Sequence, residues 1–221
     1  FMSEEEISEV QNCLSAESGD MVLMIADERK VVNHVLGLLR LEIGRPPVHS
    51  GELEFLWITE FPLFGDVGEN GQPIPAHHPF TMPLEEDLEK LDSAEGDEYL
   101  AIRSQAYDLV LNGWELGSGS VRIHSPEIQS QIFAILGIEK DEAQEKFGFL
   151  LDAFRYGAPP HAGFAFCIYR LTAILSGEEN IREVIAFPKT QSGSDPLTNA
   201  PTLLDAGHLE ELGLRLTPPS T

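Results

Sequence analysis

Apolar residues at Val31, Val32, Val35, Leu36, Leu38, Leu39 and Leu41 recur at a spacing that places them on one broad helical face, and the run stops at Gly44 and Pro46-Pro47, residues that end helices. Upstream, Ser3 and Glu6 fit a capping box for a short first helix, and SGDMVLMIAD reads as turn, strand, turn. The segment RPPVHSGELE reads as a linker, and from Phe55 the texture changes. FLWITEFPLF predicts a buried strand ending at Pro62, and GDVGENGQPIPAHHPFTMP a Gly/Pro loop punctuated by Pro75, Pro79 and Pro83. After the acidic, poorly periodic LEEDLEKLDSAEGDEYL, the stretch YDLVLNGWELGSGSVRIH alternates in the manner of strands around Asn112-Gly113, a strong two-residue hairpin turn. Ser125 and Pro126 open a helix that Gly137 closes. A second helix follows through DEAQEKFGFLLDAFRYG, with Phe147, Phe149 and Phe154 expected in the core. A strand at 163–167 then runs into a helix whose core face is Ile168, Leu171, Ile174 and Leu175, ending at Gly177. Hairpins outnumber parallel crossovers and no internal repeat is present, which predicts an α+β domain around an antiparallel sheet.

Composition narrows the possible functions. The 221 residues are 42% apolar and 23% charged, ordinary for a folded domain with a sizeable core. The 14 Lys and Arg against 37 Asp and Glu, a net charge of -23, argue against a surface that tracks phosphates by itself. Two cysteines, Cys13 and Cys167, make neither a disulfide framework nor a zinc cluster, so a reducing cytoplasmic compartment is expected. No apolar run is long enough to span a bilayer. The acidic opening FMSEEEISEV lacks the features of a secretory signal and reads as the interior of a longer chain.

The hairpin carries the candidate chemistry. With Asn112-Gly113 as its loop, Leu111 is expected to face Trp114, Val110 to face Glu115, and Asp108 to face Gly117, which makes Asp108 and Glu115 diagonal neighbours on one face. Two carboxylates so placed repel unless a hard cation lies between them, most simply magnesium carried on a phosphate ligand; an open, solvated sheet face accommodates the same pair. Gly113, Gly117 and Gly119 leave room for that ligand. GSGS can host a β-bulge that turns Arg122 onto the carboxylate face, where its guanidinium binds a carboxylate ligand or pairs with Asp108 or Glu115. His77 and His78 are adjacent, so in extended backbone they point apart and cannot share one metal. Arg170 lies in the first turn of its helix, where a cation opposes the dipole; a bound anion relieves that conflict, as does exposure to solvent.

FLWITEFPLF, AHHPFT, YDLVLNGWELGSGSVRIH, EKFGFLLDAFRYGAPPHAG and IREVIAFPKT together resemble the C-terminal part of bacterial and mitochondrial aspartyl-tRNA synthetases, class IIb, from about Glu4 to Leu216. The resemblance implies that residues 1–45 are the end of the bacterial insertion domain, 46–54 a linker, 55–216 the second half of the class II catalytic domain with its antiparallel sheet, and 217–221 a tail. It further implies that Asp108 and Glu115 bind ATP-associated magnesium, that Arg122 clamps the side-chain carboxylate of L-aspartate in a pocket shaped by Ser120, His78 and the adjacent His77, and that Arg170 of motif 3 holds the ATP tail. The expected activity is aspartate-tRNA ligation within a full-length, homodimeric, cytoplasmic enzyme that contacts tRNA mainly through other segments. Where the family's motif 3 reads Gly-Leu-Asp-Arg, this chain has CIYR, with Cys167 for glycine and Tyr169 for aspartate. Motif 1, the motif 2 arginine and the anticodon-binding domain have no counterpart in these residues. Two alternatives remain open at this point: a truncated paralogue that makes aspartyl-adenylate for an acceptor other than tRNA, and a non-catalytic relic that binds a ligand or partner.

Overall fold

The computed structural model describes residues 2–44 and 52–217. The chain divides into two units, Phe1–Pro46 and Pro47–Thr221.

In the first unit, helix α1 (Glu4–Leu14) begins with the expected capping box: the Glu6 N–H donates to Ser3 Oγ, and the Ser3 N–H, at 2.7 Å, and hydroxyl both donate to Glu6 Oε2, holding the Glu6 carboxyl below its usual range. In α2 (Arg29–Gly44) the broad apolar face narrows to half-buried Val32, Val35 and Leu39, while Val31, Leu36, Leu38 and Leu41 are exposed. The strand expected within SGDMVLMIAD is absent; a strand needs a partner edge, and the described elements of this unit are two helices. The stop signal at Pro46-Pro47 and most of the expected linker fall outside the described residues.

The second unit carries β1 (Phe55–Thr59), β2 (Phe64–Val67), β3 (Pro73–Pro75), α3 (Lys90–Ser93), β4 (Ala106–Leu111), β5 (Trp114–Val121), α4 (Pro126–Ile135), α5 (Lys140–Phe154), β6 (Ala162–Phe166), α6 (Ile168–Ser176) and α7 (Ala206–Glu211). Four strands form a sheet in the order β1-β4-β5-β6, every neighbouring pair antiparallel. The expected α+β architecture is therefore present. Asn112 (φ 47°) and Gly113 (φ 80°) make the tight turn of the β4–β5 hairpin, both in the left-handed region that such turns require.

Several expectations fail for physical reasons. β1 is exposed along its whole length, not buried, because it is the edge of the described sheet. The Gly/Pro loop contains a small sheet, β2 paired with β3, since prolines are tolerated where a strand has a free edge. The hairpin begins in the expected register, but it shifts between Val110 and Leu109, so Asp108 opposes Ser118 rather than Gly117. The irregularity thus precedes GSGS. Phe149 is 81% exposed on α5, whereas Phe154 is buried and Phe147 stacks on Phe133. On α6, Ala173 and Ile174 are buried and Leu171 packs beside them, while Ile168 and Leu175 face outward.

The larger core lies at the C-terminal end of β5. Leu63, Phe64, Met82, Leu91, Ile102, Ile123 and Ile132 are all buried there, each side chain of this size contributing about 1.5–3 kcal/mol. A smaller cluster of Leu111, Leu116 and Ile174 fixes α6 near the hairpin turn. Ser125 accepts from the Ile128 N–H to cap α4, and Gly137 adopts φ 72° past its end.

Candidate active site

Strand pairing places Asp108 opposite Ser118 and Ala106 opposite Ser120, so Asp108, Ser118 and Ser120 share a face. Alternation brings Arg122, two residues beyond Ser120, to the same side. Asp108 Oδ1 is buried and has no hydrogen-bond partner among the described residues. Burial raises the Asp108 pKa, the nearby Glu115 charge raises it further, and His77 opposes both. A half-buried carboxylate beside a second carboxylate, with an unmet oxygen, fits the donor set of a hard cation. Among the described residues no cluster of three or more His, Cys, Asp or Glu would hold a metal unaided, so a ligand must supply the remaining oxygens.

Arg170 neither points into solvent nor stands ready for an anion alone. Its Nη1 donates to the Glu115 carbonyl at 2.5 Å and lies 3.7 Å from Glu115 Oε1. The conflict between this cation and the helix dipole is thus eased by Glu115. Both side chains are well exposed, at 39% and 47%, so the pair is weak and exchangeable.

Arg122 is fixed at the other end of β5. Its N–H donates to the His161 carbonyl at 2.9 Å, and it bridges Thr81. Among the described residues its guanidinium makes no ion pair with Asp108 or Glu115; Nη1 lies against His78 Nε2 instead. The other imidazole nitrogen, Nδ1, accepts from the Phe80 N–H at 3.2 Å, with Thr81 Oγ1 at 3.3 Å. A neutral imidazole has one proton and one lone pair. With Nδ1 accepting from Phe80, the ring proton lies on Nε2 and meets the guanidinium, another donor; with the proton on Nδ1 it meets the Phe80 N–H, and only the Thr81 hydroxyl can accept from it. An anionic oxygen at the Arg122–His78 edge resolves the mismatch. Burial lowers the His78 pKa, as do Arg122 and His77, so the ring is neutral near pH 7. Ser120 Oγ, buried and also without a partner among the described residues, lies on the same face. A cleft of about 370 Å³ opens here, lined by His78, Phe80, Arg122, Leu150, His161 and Gly163 among others.

His77 faces away, its ring edge-on to Phe61 at 5.4 Å, and it acts on both Asp108 and His78 only through its charge. The two histidines diverge as expected. The glycines serve a different purpose from the one expected. A Cβ on Gly117 would come within 2.7 Å of the Phe164 ring, and one on Gly119 within 2.7 Å of the Tyr107 ring; these residues admit aromatic rings and the close approach of β6. The glycine that clears the site is Gly163, where a Cβ would sit 3.1 Å from Arg122 Nη2.

A family model for class II tRNA synthetases (D, K and N) matches residues 12–191. The chain belongs to this family. An aspartate-tRNA(Asp/Asn) ligase of Persephonella marina is 47% identical over 99% of this chain and 37% of its own length. An aspartate-tRNA ligase of Ruminiclostridium cellulolyticum is 47% identical over 98% of this chain and 36% of its own length. The chain thus spans a little over a third of these curated relatives. Among solved structures, an aspartyl tRNA synthetase from Entamoeba histolytica aligns over 86% of this chain and 32% of that chain, with 24% identity and a TM-score of 0.48. The antiparallel sheet with its flanking helices is a partial class II synthetase fold.

For this synthetase-family site, the geometry adds residues that the sequence did not single out. Thr81, 2% exposed, touches His78 Nδ1. Gln129, fully buried in α4, donates to the Pro79 carbonyl. The available signal for Gln129 was a polar residue inside the apolar run Ile128, Ile132, Phe133. Among the described residues no helix is long and apolar enough to cross a membrane.

Proposed function

We propose that this chain is the part of an aspartate-tRNA ligase that holds L-aspartate and the phosphates of ATP. Residues 1–45 are taken as the end of the family's insertion domain and 55–216 as the second half of its catalytic domain. The observation that carries the reading is the Arg122 guanidinium set against His78 Nε2 while the Phe80 N–H donates to Nδ1: with the ring proton on Nε2 the two donors converge and lack an acceptor that a carboxylate side chain would supply. Asparagine presents an amide in place of the carboxylate and cannot satisfy the guanidinium with two acceptors.

In this assignment Arg122 grips the aspartate side chain as a planar fork, while the imidazole of His78 and the Ser120 hydroxyl complete the pocket. The α-carboxylate attacks the α-phosphorus of ATP and pyrophosphate leaves; a hydroxyl of the terminal ribose of tRNA then attacks the aspartyl carbonyl of the adenylate, forming the ester and releasing AMP. Asp108 and Glu115 would hold magnesium when it arrives with ATP, and the ion would neutralise charge on the phosphates. Arg170 exchanges its Glu115 carbonyl and carboxylate for the ATP tail. Positioning and electrostatics supply the catalysis, so no covalent enzyme nucleophile is needed. With a net charge of -23, this segment leaves most tRNA contact to other parts of the protein.

The test is amino-acid-dependent ATP–pyrophosphate exchange by the full-length protein. Exchange driven by aspartate and not by asparagine or lysine is expected. Exchange driven by either of the others in preference to aspartate would overturn the assignment.

A further inference from the structure

We infer that Gln129 is a positioning residue of the amino-acid pocket, acting through a single peptide plane to set the His78 ring against Arg122. The inference deepens the aspartate-pocket reading above and rests on it.

Gln129 lies in α4 at 0% exposure, between Ile128 on one side and Ile132 and Phe133 further along. Its Nε2 donates to the Pro79 carbonyl at 2.9 Å. The opposite assignment of the amide would set two oxygens against each other, so the donor orientation is fixed by its partner. The Oε1 atom is buried and has no partner among the described residues. A buried amide with one end unmet costs stability, so its usefulness to the fold rests on the single bond that it donates.

That bond falls on a sensitive peptide group. The Pro79 carbonyl and the Phe80 N–H belong to the same plane. Gln129 holds the carbonyl, and the N–H donates to His78 Nδ1. With Nδ1 accepting, the imidazole proton sits on Nε2 and points toward the Arg122 guanidinium, where a ligand carboxylate would receive both. The next carbonyl, that of Phe80, accepts from the Ile123 N–H at 2.9 Å, directly after Arg122 in sequence. The His78 loop and the end of β5 are thereby tied together, and Gln129 fixes the one intervening plane that this tie leaves free to rotate. Releasing it lets the Phe80 N–H swing off Nδ1. The ring proton can then move to Nδ1 and donate to Thr81 Oγ1, while Nε2 accepts from Arg122. The empty pocket becomes self-satisfied and the incoming carboxylate loses one donor.

Gln129→Met in the full-length protein keeps the side-chain volume and removes both the donor and the unmet oxygen. Aspartate and ATP dependences of exchange are measured separately, with thermal unfolding, and the His78 tautomer is read from imidazole nitrogen shifts in protein labelled at histidine. The expected result is a roughly tenfold rise in KM for aspartate, the loss of one charge-assisted donor, with KM for ATP and Tm unchanged and His78 shifted toward the Nδ1–H form. Gln131→Met, at a half-buried site of the same helix where the amide bonds Asp92 away from the pocket, should change none of these. An unchanged aspartate KM and tautomer would overturn the inference, and so would parallel losses in aspartate KM, ATP KM and Tm, which mark a residue that only packs. The tautomer readout needs no substrate. A wild-type protein without aspartate-dependent exchange, but with the tautomer change in Gln129→Met, would therefore fault the aspartate reading and leave the positioning role standing.

Discussion

The two ends of β5 are built differently. At the Arg122 end, Ser120, Thr81, Ile123 and Gln129 are all at most 2% exposed, and the backbone of the His78 loop is bonded at consecutive carbonyls. At the hairpin end, Glu115 and Arg170 are each more than a third exposed, and Tyr169 and Ile168, at the start of α6, are 52% and 63% exposed. The half-buried side chain assigned to the ligand carboxylate sits beside a packed, hydrogen-bonded backbone, where geometry discriminates. The groups assigned to the polyphosphate sit where charge is screened and exchange is easy. The contrast teaches that the end proposed to hold the amino acid is preorganised, whereas the end proposed to hold the nucleotide rests on weak contacts.

The largest effect should come from Asp108→Asn, which joins the two ends. Removing a charge assigned to the ATP-bound cation should lower exchange about 100-fold or more in the full-length protein. The folded state should nevertheless gain about 0.5 kcal/mol, because a partly buried charge is removed and, with it, repulsion from Glu115. The sign follows from the raised Asp108 pKa. A carboxyl that is easier to protonate when folded lowers stability as pH rises through the window between its unfolded value of 3.8 and its folded value, and is fully unfavourable above it. Unfolding curves at pH 7 with and without the substitution check the gain; a loss of stability would mean that Asp108 is already satisfied.

Next comes Arg122→Lys, which keeps the charge and loses the fork. Losing one charge-assisted bond in a dry site costs about 2 kcal/mol, roughly thirtyfold. The KM for aspartate should rise by that factor and the KM for ATP should barely move. Equal changes in both would erase the distinction between the two ends.

These residues were legible in the sequence because their signals are local. The Ser3/Glu6 box, the Asn112-Gly113 turn and the Ser125 cap depend on residues a few positions apart. The pairing of Asp108 with Glu115 could be read from the hairpin's alternation, and the place of Arg122 only by allowing for a bulge between them. What escaped depends on distant partners. The need for glycine at 117 and 119 is set by β6 and by the rings of Phe164 and Tyr107, and the register shift before Asp108 leaves no local signature that was read. Phe149 and Phe154 are equally apolar, and only the packing of α5 decides which is buried. Asp87 was hidden in an acidic run, yet it is 1% exposed and gathers Arg103 Nε at 2.9 Å, the Arg103 N–H and Lys90 Nζ.

Asp87→Asn tests how firmly the rigid end is held, since this carboxylate ties the segment that follows Thr81 to Arg103. Weakening its charge-assisted bonds should cost about 1.5 kcal/mol of stability, roughly tenfold in the folding constant. The guanidinium of Arg103 holds the Asp87 pKa far below its ordinary value of 3.8, against the opposing effect of burial. Its stabilising contribution is therefore complete above pH 3.8 and is lost as pH falls below that value toward the folded pKa. Wild type should lose stability steeply on acidification in this window and Asp87→Asn should do so less. Parallel curves would mean that the carboxylate is no better held folded than unfolded.

The smallest effect is expected at the loose end, from Tyr169→Asp. Cys167 occupies the N-cap of α6 and supplies no side-chain cap, and the first turn contains no acidic residue. A carboxylate at the second helical position complements the dipole and is worth about 0.5 kcal/mol at an exposed site, roughly twofold. Hydrogen exchange of the α6 amides in the full-length protein should slow by that factor, while amides of α4, on the far side of the Arg122 pocket, should be unaffected. If protection rises in α4 as well, the two ends of β5 open and close as one unit, and the division between a rigid pocket and a loose phosphate side fails. If only α6 responds, the ends are energetically separate, and the KM for ATP can be tuned there without disturbing that for aspartate.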